Sequence, residues 1–317
     1  MNKLHSFLDQ ASQAYYAGTP IISDQVFDQL ADSCGYNALG AKASGKKAKH
    51  LYQMYSLLKY YEDEGKPDPL AYEAVTTSIK LDGAAISLLY MGGMLVQALT
   101  RGDGIEGQLI TDKMFEFGNL VPLQIAHTGT IQITGEIVAP KHIENARNYA
   151  AGSLNLKDLA EFRTRAIQFF AYQATPSLEV TWTKDMAVLK QLGFNTVIED
   201  DLDKIYPSDG LVVRINNNKL FEQMGYTSKH PRGAYARKER QAHVETVLLG
   251  VEWNVGKTGK VTPTAILEPV KIGDAMVSRA TLNNPGFIEA LDLHIGDTVA
   301  VVRSGEIIPC ILHKVNA

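Results

Sequence analysis

With 317 residues, 45 % of them hydrophobic and 21 % charged, the chain has the make-up of an ordinary globular protein with room for two domains and a small module. A formal charge of −4 excludes nucleic-acid binding by overall charge, so any such role needs a local basic face. No apolar run reaches membrane-spanning length, the N-terminus is too polar for a signal peptide, and two distant cysteines, Cys34 and Cys310, exclude a four-ligand zinc site and fit a reducing, cytoplasmic setting.

Residues 1–48 read as a helical module. Leu4, Phe7, Leu8, Ala11, Ala14 and Tyr15 follow helical spacing, and Gly18-Thr19-Pro20 breaks the helix. Ser23 caps a second helix whose apolar face is Phe27, Leu30, Ala31 and Cys34, ended by Gly35. Asp24 and Asp28 share a face of it, a like-charge pair that either awaits a ligand or cation or simply serves the helix dipole and solubility. Lys42 to Lys49 holds four lysines and no acid, either a basic face or a solvated linker.

Residues 49–243 interleave strands and helices. Tyr72–Ile79, Ala84–Tyr90 and Met94–Thr100 are strand runs, the last two joined by a Gly92-Gly93 hairpin turn. Lys80 leaves the first run just before a bend at Asp82-Gly83. A lysine becomes a nucleophile when a pocket desolvates it or surrounds it with other cations, whereas a lysine at the mouth of a sheet is otherwise only a solvated charge. Glycine-marked turns also put Arg101, Glu136, Asp209 and Lys238 at or near strand ends. Such charges either converge on a phosphate site with a metal or are ordinary turn charges. Arg147 lies in an unusual run of small residues, Asn145 to Ser153, and Lys184–Leu192 reads as a helix. Lys229, Arg232, Arg237, Lys238 and Arg240 oppose only Glu239 over 229–243, a second candidate basic face.

Residues 244–317 hold about five short strands, which suggests an OB-fold barrel. Gly250 followed by Gly256-Lys257-Thr258 is not a P-loop, because five residues intervene where that motif needs four and the context is strand–turn–strand. It reads as a hairpin whose lysines, Lys257 and Lys260, touch phosphates.

The order of these segments resembles the NAD-dependent DNA ligases of the nucleotidyltransferase superfamily. The likeness runs from Tyr15-Tyr16, Pro20, Asp24, Phe27 and Asp28, through His50, Met54, Ser56 and Leu57, to Lys80-Leu81-Asp82-Gly83. It continues through Thr100–Gly104, Gly135-Glu136, Asn145–Leu154, Tyr172, Asp209–Arg214 and Pro231–Lys238 into Val247–Ile311. The resemblance implies an α+β chain: a helical nicotinamide-mononucleotide module (1–48), an ATP-grasp-like nucleotidyltransferase domain with antiparallel sheets (49–243) and a C-terminal OB-fold barrel (244–317). It also implies a compact form lacking the zinc-finger, helix–hairpin–helix and BRCT domains of longer members.

The implied activity is sealing of nicked double-stranded DNA in replication and repair, with NAD and Mg²⁺. Lys80 carries AMP, and Lys238 and Arg214 face its phosphate and make Lys80 reactive. Asp82 and Glu136 hold the ribose or the Mg²⁺, and Tyr172, Leu81 and Val212 sandwich adenine. Arg101 and Arg147 contact the nucleotide or the nick phosphate; Ser56 and Leu57 line the nucleotide site; Tyr15, Tyr16, Asp24 and Asp28 hold the nicotinamide half. Lys257 and Lys260 join Arg147 on DNA. The implied enzyme acts as a monomer or with a second subunit that supplies missing domains, and uses no membrane. Alternatives are an adenylating subunit, an ATP-using ligase or capping-type enzyme, and a nick-binding protein without catalysis. Ser78, Thr134, Asn155 and Gly233 depart from the family, which has a glutamate, two arginines and a tryptophan there, and Arg214 replaces a lysine.

Overall fold

A computed structural model describes residues 3–16, 21–22, 27, 30–31, 46–62, 65–71, 73–238, 243–255, 261–272, 275–304 and 308–315. They fall into two compact units, Lys42–Arg240 and a second that joins Met1–Ala41 to Gln241–Ala317. Among the described residues no helix is long and apolar enough to cross a membrane.

The chain begins with helix α1 (Lys3–Tyr16) and continues into the central unit with β1 (Lys47–Lys49), β2 (Leu58–Tyr61), β3 (Val75–Leu81), β4 (Ala84–Met91), β5 (Met94–Thr100) and β6 (Glu106–Gln108). Then come α2 (Thr111–Phe117), β7 (Thr130–Val138), α3 (Ala146–Asn155), α4 (Leu159–Arg163), β8 (Gln168–Thr175), α5 (Trp182–Gln191), α6 (Leu202–Ile205), β9 (Ser208–Ile215), α7 (Asn218–Met224) and β10 (Ala234–Lys238). One sheet runs β5-β4-β7-β8, all antiparallel. Another runs β2-β10-β9-β3, antiparallel but for its edge pair β2 and β10, which are parallel. The first hairpin closes through Gly92 and Gly93, both at positive φ, which a two-residue turn between right-twisted strands requires. The main core lies under the first sheet, where β4 and β7 send Ile86, Leu88, Ile133 and Ile137 inward against α2, α5 and Phe169.

Residues 47–49, in the stretch that reads as either a basic face or a linker, form strand β1, paired with β6.

The other unit contains β11 (Val244–Val255), β12 (Val261–Ile272), β13 (Ala275–Thr281), α8 (Pro285–Ala290), β14 (Thr298–Ser304) and β15 (Ile308–Lys314). The strands close into a barrel of order β11-β12-β13-β15-β14, the expected OB-like architecture. The helical module does not stand alone. Phe7, Leu8, Ala11, Ile22, Leu30 and Ala31 share one core with barrel residues such as Leu248, Leu267 and Val301. Phe7 meets Phe287 of α8 edge-to-face at 6.0 Å, and Asn284, which caps α8, donates from Nδ2 to Ile21 O at 3.0 Å.

Candidate active site

Lys80 stands where β3 meets an irregularity in β9. Ile79 pairs with Leu211 and Leu81 with Ser208, so one residue of β3 faces two of β9, Asp209 and Gly210. Gly210, at φ 135°, is the extra residue; a Cβ there would lie 2.2 Å from Arg237 O. A bulge re-aims side chains, and this one turns Asp209 toward both neighbouring strands. Its Oδ1 accepts from Lys80 Nζ at 2.7 Å and its Oδ2 pairs with Lys238 Nζ at 2.8 Å. Burial works to raise the Asp209 pKa, but the two ammonium groups outweigh it and hold the carboxyl at about 2.

The bend after β3 places Asp82, whose N–H donates to Pro207 O at 2.8 Å. Gly83 follows because a Cβ at that point would run into Ile137 O at 2.1 Å. Arg147, in the first turn of α3, donates to Asp82 Oδ1 at 2.7 Å. Burial nonetheless pushes the Asp82 pKa up, with Arg147 the chief opposing charge.

Glu136 of β7 pairs with Ala85 of β4, whose carbonyl accepts from Arg101 N at 2.9 Å. Desolvation drives the Glu136 carboxyl up to about 7, against the pull of Lys80, Arg147 and Arg101. Tyr172 occupies a second bulge, between the pairs Gly135–Ala171 and Thr134–Gln173. Its phenol is raised chiefly by burial, then by Glu136. Lys80, Asp82, Arg101, Glu136, Arg147, Tyr172 and Lys238 therefore belong to one electrostatic neighbourhood. Three cations and several acids set around the half-buried Lys80 amine can bind and polarise a phosphate ester.

Asp209 is the residue the motif reading left without a role. Its strand-end position was visible, but its bridge between Lys80 and Lys238 was not. Leu81 is buried, and Val212 lies opposite Ser78 on the face that carries Lys80. Ser56 meets Lys229 O at 3.2 Å and His230 Nδ1 at 3.1 Å, and Leu57 packs against the core that holds Val213 and Tyr235.

Arg214 is the expected residue that the structure does not bring in. It pairs with Thr76, so it shares a sheet face with Lys80. Thr76 and Lys80, however, are separated by roughly 13 Å of strand. The Arg214 guanidinium lies against the rings of Phe221 (4.4 Å) and Trp182 (5.2 Å) and donates to Asn218 Oδ1 at 3.4 Å. Burial lowers its pKa to about 10, with Asp185 the main opposing charge. Asp185 in turn accepts from Asn218 Nδ2 at 2.7 Å and from the backbone of Leu178 and Glu179. The residue braces β9 against α5 and α7. Gly233 belongs to the same region: a Cβ would come within 2.7 Å of Phe221, so the Phe221 ring fills the space a larger side chain needs.

Tyr15 and Tyr16 end α1, and their side chains lie outside the described residues, as do Asp24, Asp28, Lys257 and Lys260. Among the described residues no group of three or more His, Cys, Asp or Glu side chains is placed to hold a metal.

A sequence profile of the NAD-dependent DNA ligase adenylation domain matches residues 42–205, and one of the NAD-dependent DNA ligase OB-fold domain matches residues 245–317. Among solved structures, the chain is similar to a Lig E DNA ligase described as binding DNA with a minimal scaffold, at 14% identity and TM-score 0.43 over 84% of this chain and 100% of that one. It is similar to a mycobacterial DNA ligase D complexed with ATP at 11% identity and TM-score 0.36, over 72% and 83%. An archaeal ATP-dependent RNA ligase matches at 15% identity and TM-score 0.29, over 52% and 42%.

Proposed function

The chain belongs to the NAD-dependent DNA ligase family, and on that premise we propose that it seals 5′-phosphate/3′-hydroxyl nicks through a lysyl-AMP on Lys80. The observation that carries the reading is the half-buried Lys80 amine held at a bulge by Asp209, with Lys238, Arg101 and Arg147 around the same acids.

Lys80 Nζ, freed of a proton, attacks the α-phosphorus of NAD. A phosphorus–nitrogen bond forms, the bond to the bridging oxygen breaks, and nicotinamide mononucleotide leaves with that oxygen and the electron pair. The 5′-phosphate of the nick then displaces Lys80 to take AMP, and the 3′-hydroxyl displaces AMP to join the strand. Each step is an in-line phosphoryl transfer, so positioning and charge neutralisation supply the acceleration. Asp209 fixes the two lysines before the phosphate arrives. Lys238, Arg101 and Arg147 then take the phosphate charge, while Tyr172, Leu81 and Val212 hold adenine.

Asp82 and Glu136 are hard oxygen donors that fit Mg²⁺, an ion that commonly takes one or two carboxylates and fills its sphere with phosphate oxygens and water. When bound, that ion supplies positive charge at the transferring phosphate. Asp82 is engaged by Arg147 at 2.7 Å; with the ion bound, Asp82 would hold it and Arg147 would be released toward the phosphate. Tyr15, Tyr16, Asp24 and Asp28 serve the first step only, and Lys257 and Lys260 the DNA backbone. The enzyme works in the cytoplasm.

Intact mass after incubation with NAD and Mg²⁺ tests the reading. The expected result is a gain of one AMP, absent with ATP and lost in Lys80→Ala. An adduct with ATP alone would overturn the NAD assignment, and no adduct with either would leave a nick-binding protein. A nick-sealing assay then separates a complete ligase from a subunit.

A further inference from the structure

Residues 46–57 cross the face of the β5-β4-β7-β8 sheet as a strap tied down at successive points. β1 pairs with β6, His50 N donates to Ile105 O at 2.9 Å, and Met54 N donates to Gly104 O at 2.8 Å. Between these, the side-chain amide of Gln132 holds both backbone groups of Tyr52, at 3.0 and 2.8 Å. Two of these ties therefore end on the loop after β5 that carries Arg101, and a third on β6 directly behind it.

His50 reaches that loop from within. It is buried, with Nδ1 at 2.8 Å from Ser87 Oγ and Nε2 at 3.0 Å from Arg101 O. A carbonyl only accepts, so Nε2 carries the hydrogen and Nδ1 accepts from the serine hydroxyl. That assignment fixes one neutral tautomer. Burial agrees, holding the ring below its ordinary pKa despite the Arg101 carbonyl and Asp103. The Arg101 peptide is thus gripped on both sides, its N–H by Ala85 O at 2.9 Å and its carbonyl by the imidazole and by Gly104 N. That grip fixes the Arg101 backbone, and the charge of its side chain is one of those felt by Glu136 and Tyr172.

We propose that His50 is a positioning residue for the adenylation step, setting the Arg101 loop from behind so that the guanidinium addresses the nucleotide. The proposal rests on the reading of Arg101 given above. It separates His50 from an ordinary core histidine, because its effect passes through one named arginine.

Two near-isosteres divide the ring's functions. His50→Gln places an amide N–H near the Nε2 position and keeps the bond to Arg101 O; His50→Asn reaches only Ser87. The measurement is the single-turnover rate of AMP uptake as a function of NAD concentration, on enzyme first stripped of AMP, with thermal melting as a check on folding. His50→Asn should slow AMP uptake on the order of 10- to 100-fold. His50→Gln should recover most of the loss, and His50→Asn should add nothing further in an Arg101→Ala background. Full activity in His50→Asn, a Gln variant no better than Asn, or a loss that adds in full to that of Arg101→Ala would each overturn the proposal. Should His50→Asn not fold, Ser87→Ala carries the same test by freeing Nδ1, with the loss again confined to the background that has Arg101. An Arg101→Ala variant of undiminished rate, or a wild type that takes up no AMP, would instead strike the site reading itself and His50's role with it.

Discussion

Asp209 sits between two ammonium groups, and that position makes it the most consequential single charge in the cluster after Lys80. Asp209→Asn removes the bridge and leaves Lys80 and Lys238 repelling each other across the bulge. The expected loss in AMP uptake from NAD is on the order of 10²-fold, as for a reacting group displaced by an ångström; an undiminished rate would mean the bridge is ornamental. Glu136 allows a test of a different kind. Its folded pKa of about 7 lies above the ordinary 4.5, so the folded protein holds this proton more tightly than the unfolded chain. The carboxyl costs nothing below about pH 4.5, where both states are protonated, and its full penalty above about 7, so it lowers stability as pH rises between them. The penalty is at most about 3 kcal/mol before solvent screening. Urea midpoints measured across that window should fall with pH in the wild type more steeply than in Glu136→Gln, and parallel curves would refute the assignment. Some of this was readable from the chain and some was not. Lys80, Asp82 and Gly83 are adjacent, so a motif carries them. Asp209 and Lys80 are 129 positions apart, and only folding reveals the pair. Arg214 shows a similar limit: the resemblance set it facing the phosphate, while Trp182 and Phe221, whose rings its guanidinium lies against, come from other segments.

At the scale of elements, the site is a product of irregularities in otherwise regular sheets. β9 bulges at Gly210 and β8 at Tyr172, and each bulge delivers a polar group to the same neighbourhood. Gly210→Ala tests the first. Its positive φ disfavours a side chain, and the new Cβ would lie 2.2 Å from Arg237 O, a backbone atom that cannot swing aside. The β9–β10 pairing must give way, at a cost on the order of 3 kcal/mol. Because β10 carries Lys238, AMP uptake should fall along with the melting temperature. Gly92→Ala, also at positive φ but with open space around it, should lower the melting temperature and spare uptake. Equal effects of the two on uptake would show that the bulge does not aim Asp209. Strand runs were legible because apolar residues and glycine turns mark them: Met94–Thr100 is read to the residue, and the others within a few positions. The bulges were not, since an extra residue in a ladder leaves no mark until the partner strand is known.

Over the whole molecule, the division of the chain follows long-range packing that periodicity does not encode. The helical spacing of Leu4, Phe7, Leu8 and Ala11 identifies an apolar stripe but not what covers it, and the stripe is buried in the core of the barrel at the other end of the chain. Phe7 is 6 % exposed and Phe287 fully buried, their rings in contact at 6.0 Å. Phe7→Ala should therefore destabilise the barrel unit by about 3–5 kcal/mol, the usual cost of emptying such a site. Hydrogen exchange can follow the two units separately. Amides of β11 to β15 should lose protection in the variant, while those of β4 and β7, whose core is independent, should keep theirs. If the barrel strands exchanged as in the wild type and only α1 loosened, the helix would be a passenger on a self-sufficient barrel. Loss of protection across the barrel would establish that the two ends of the sequence fold as one body.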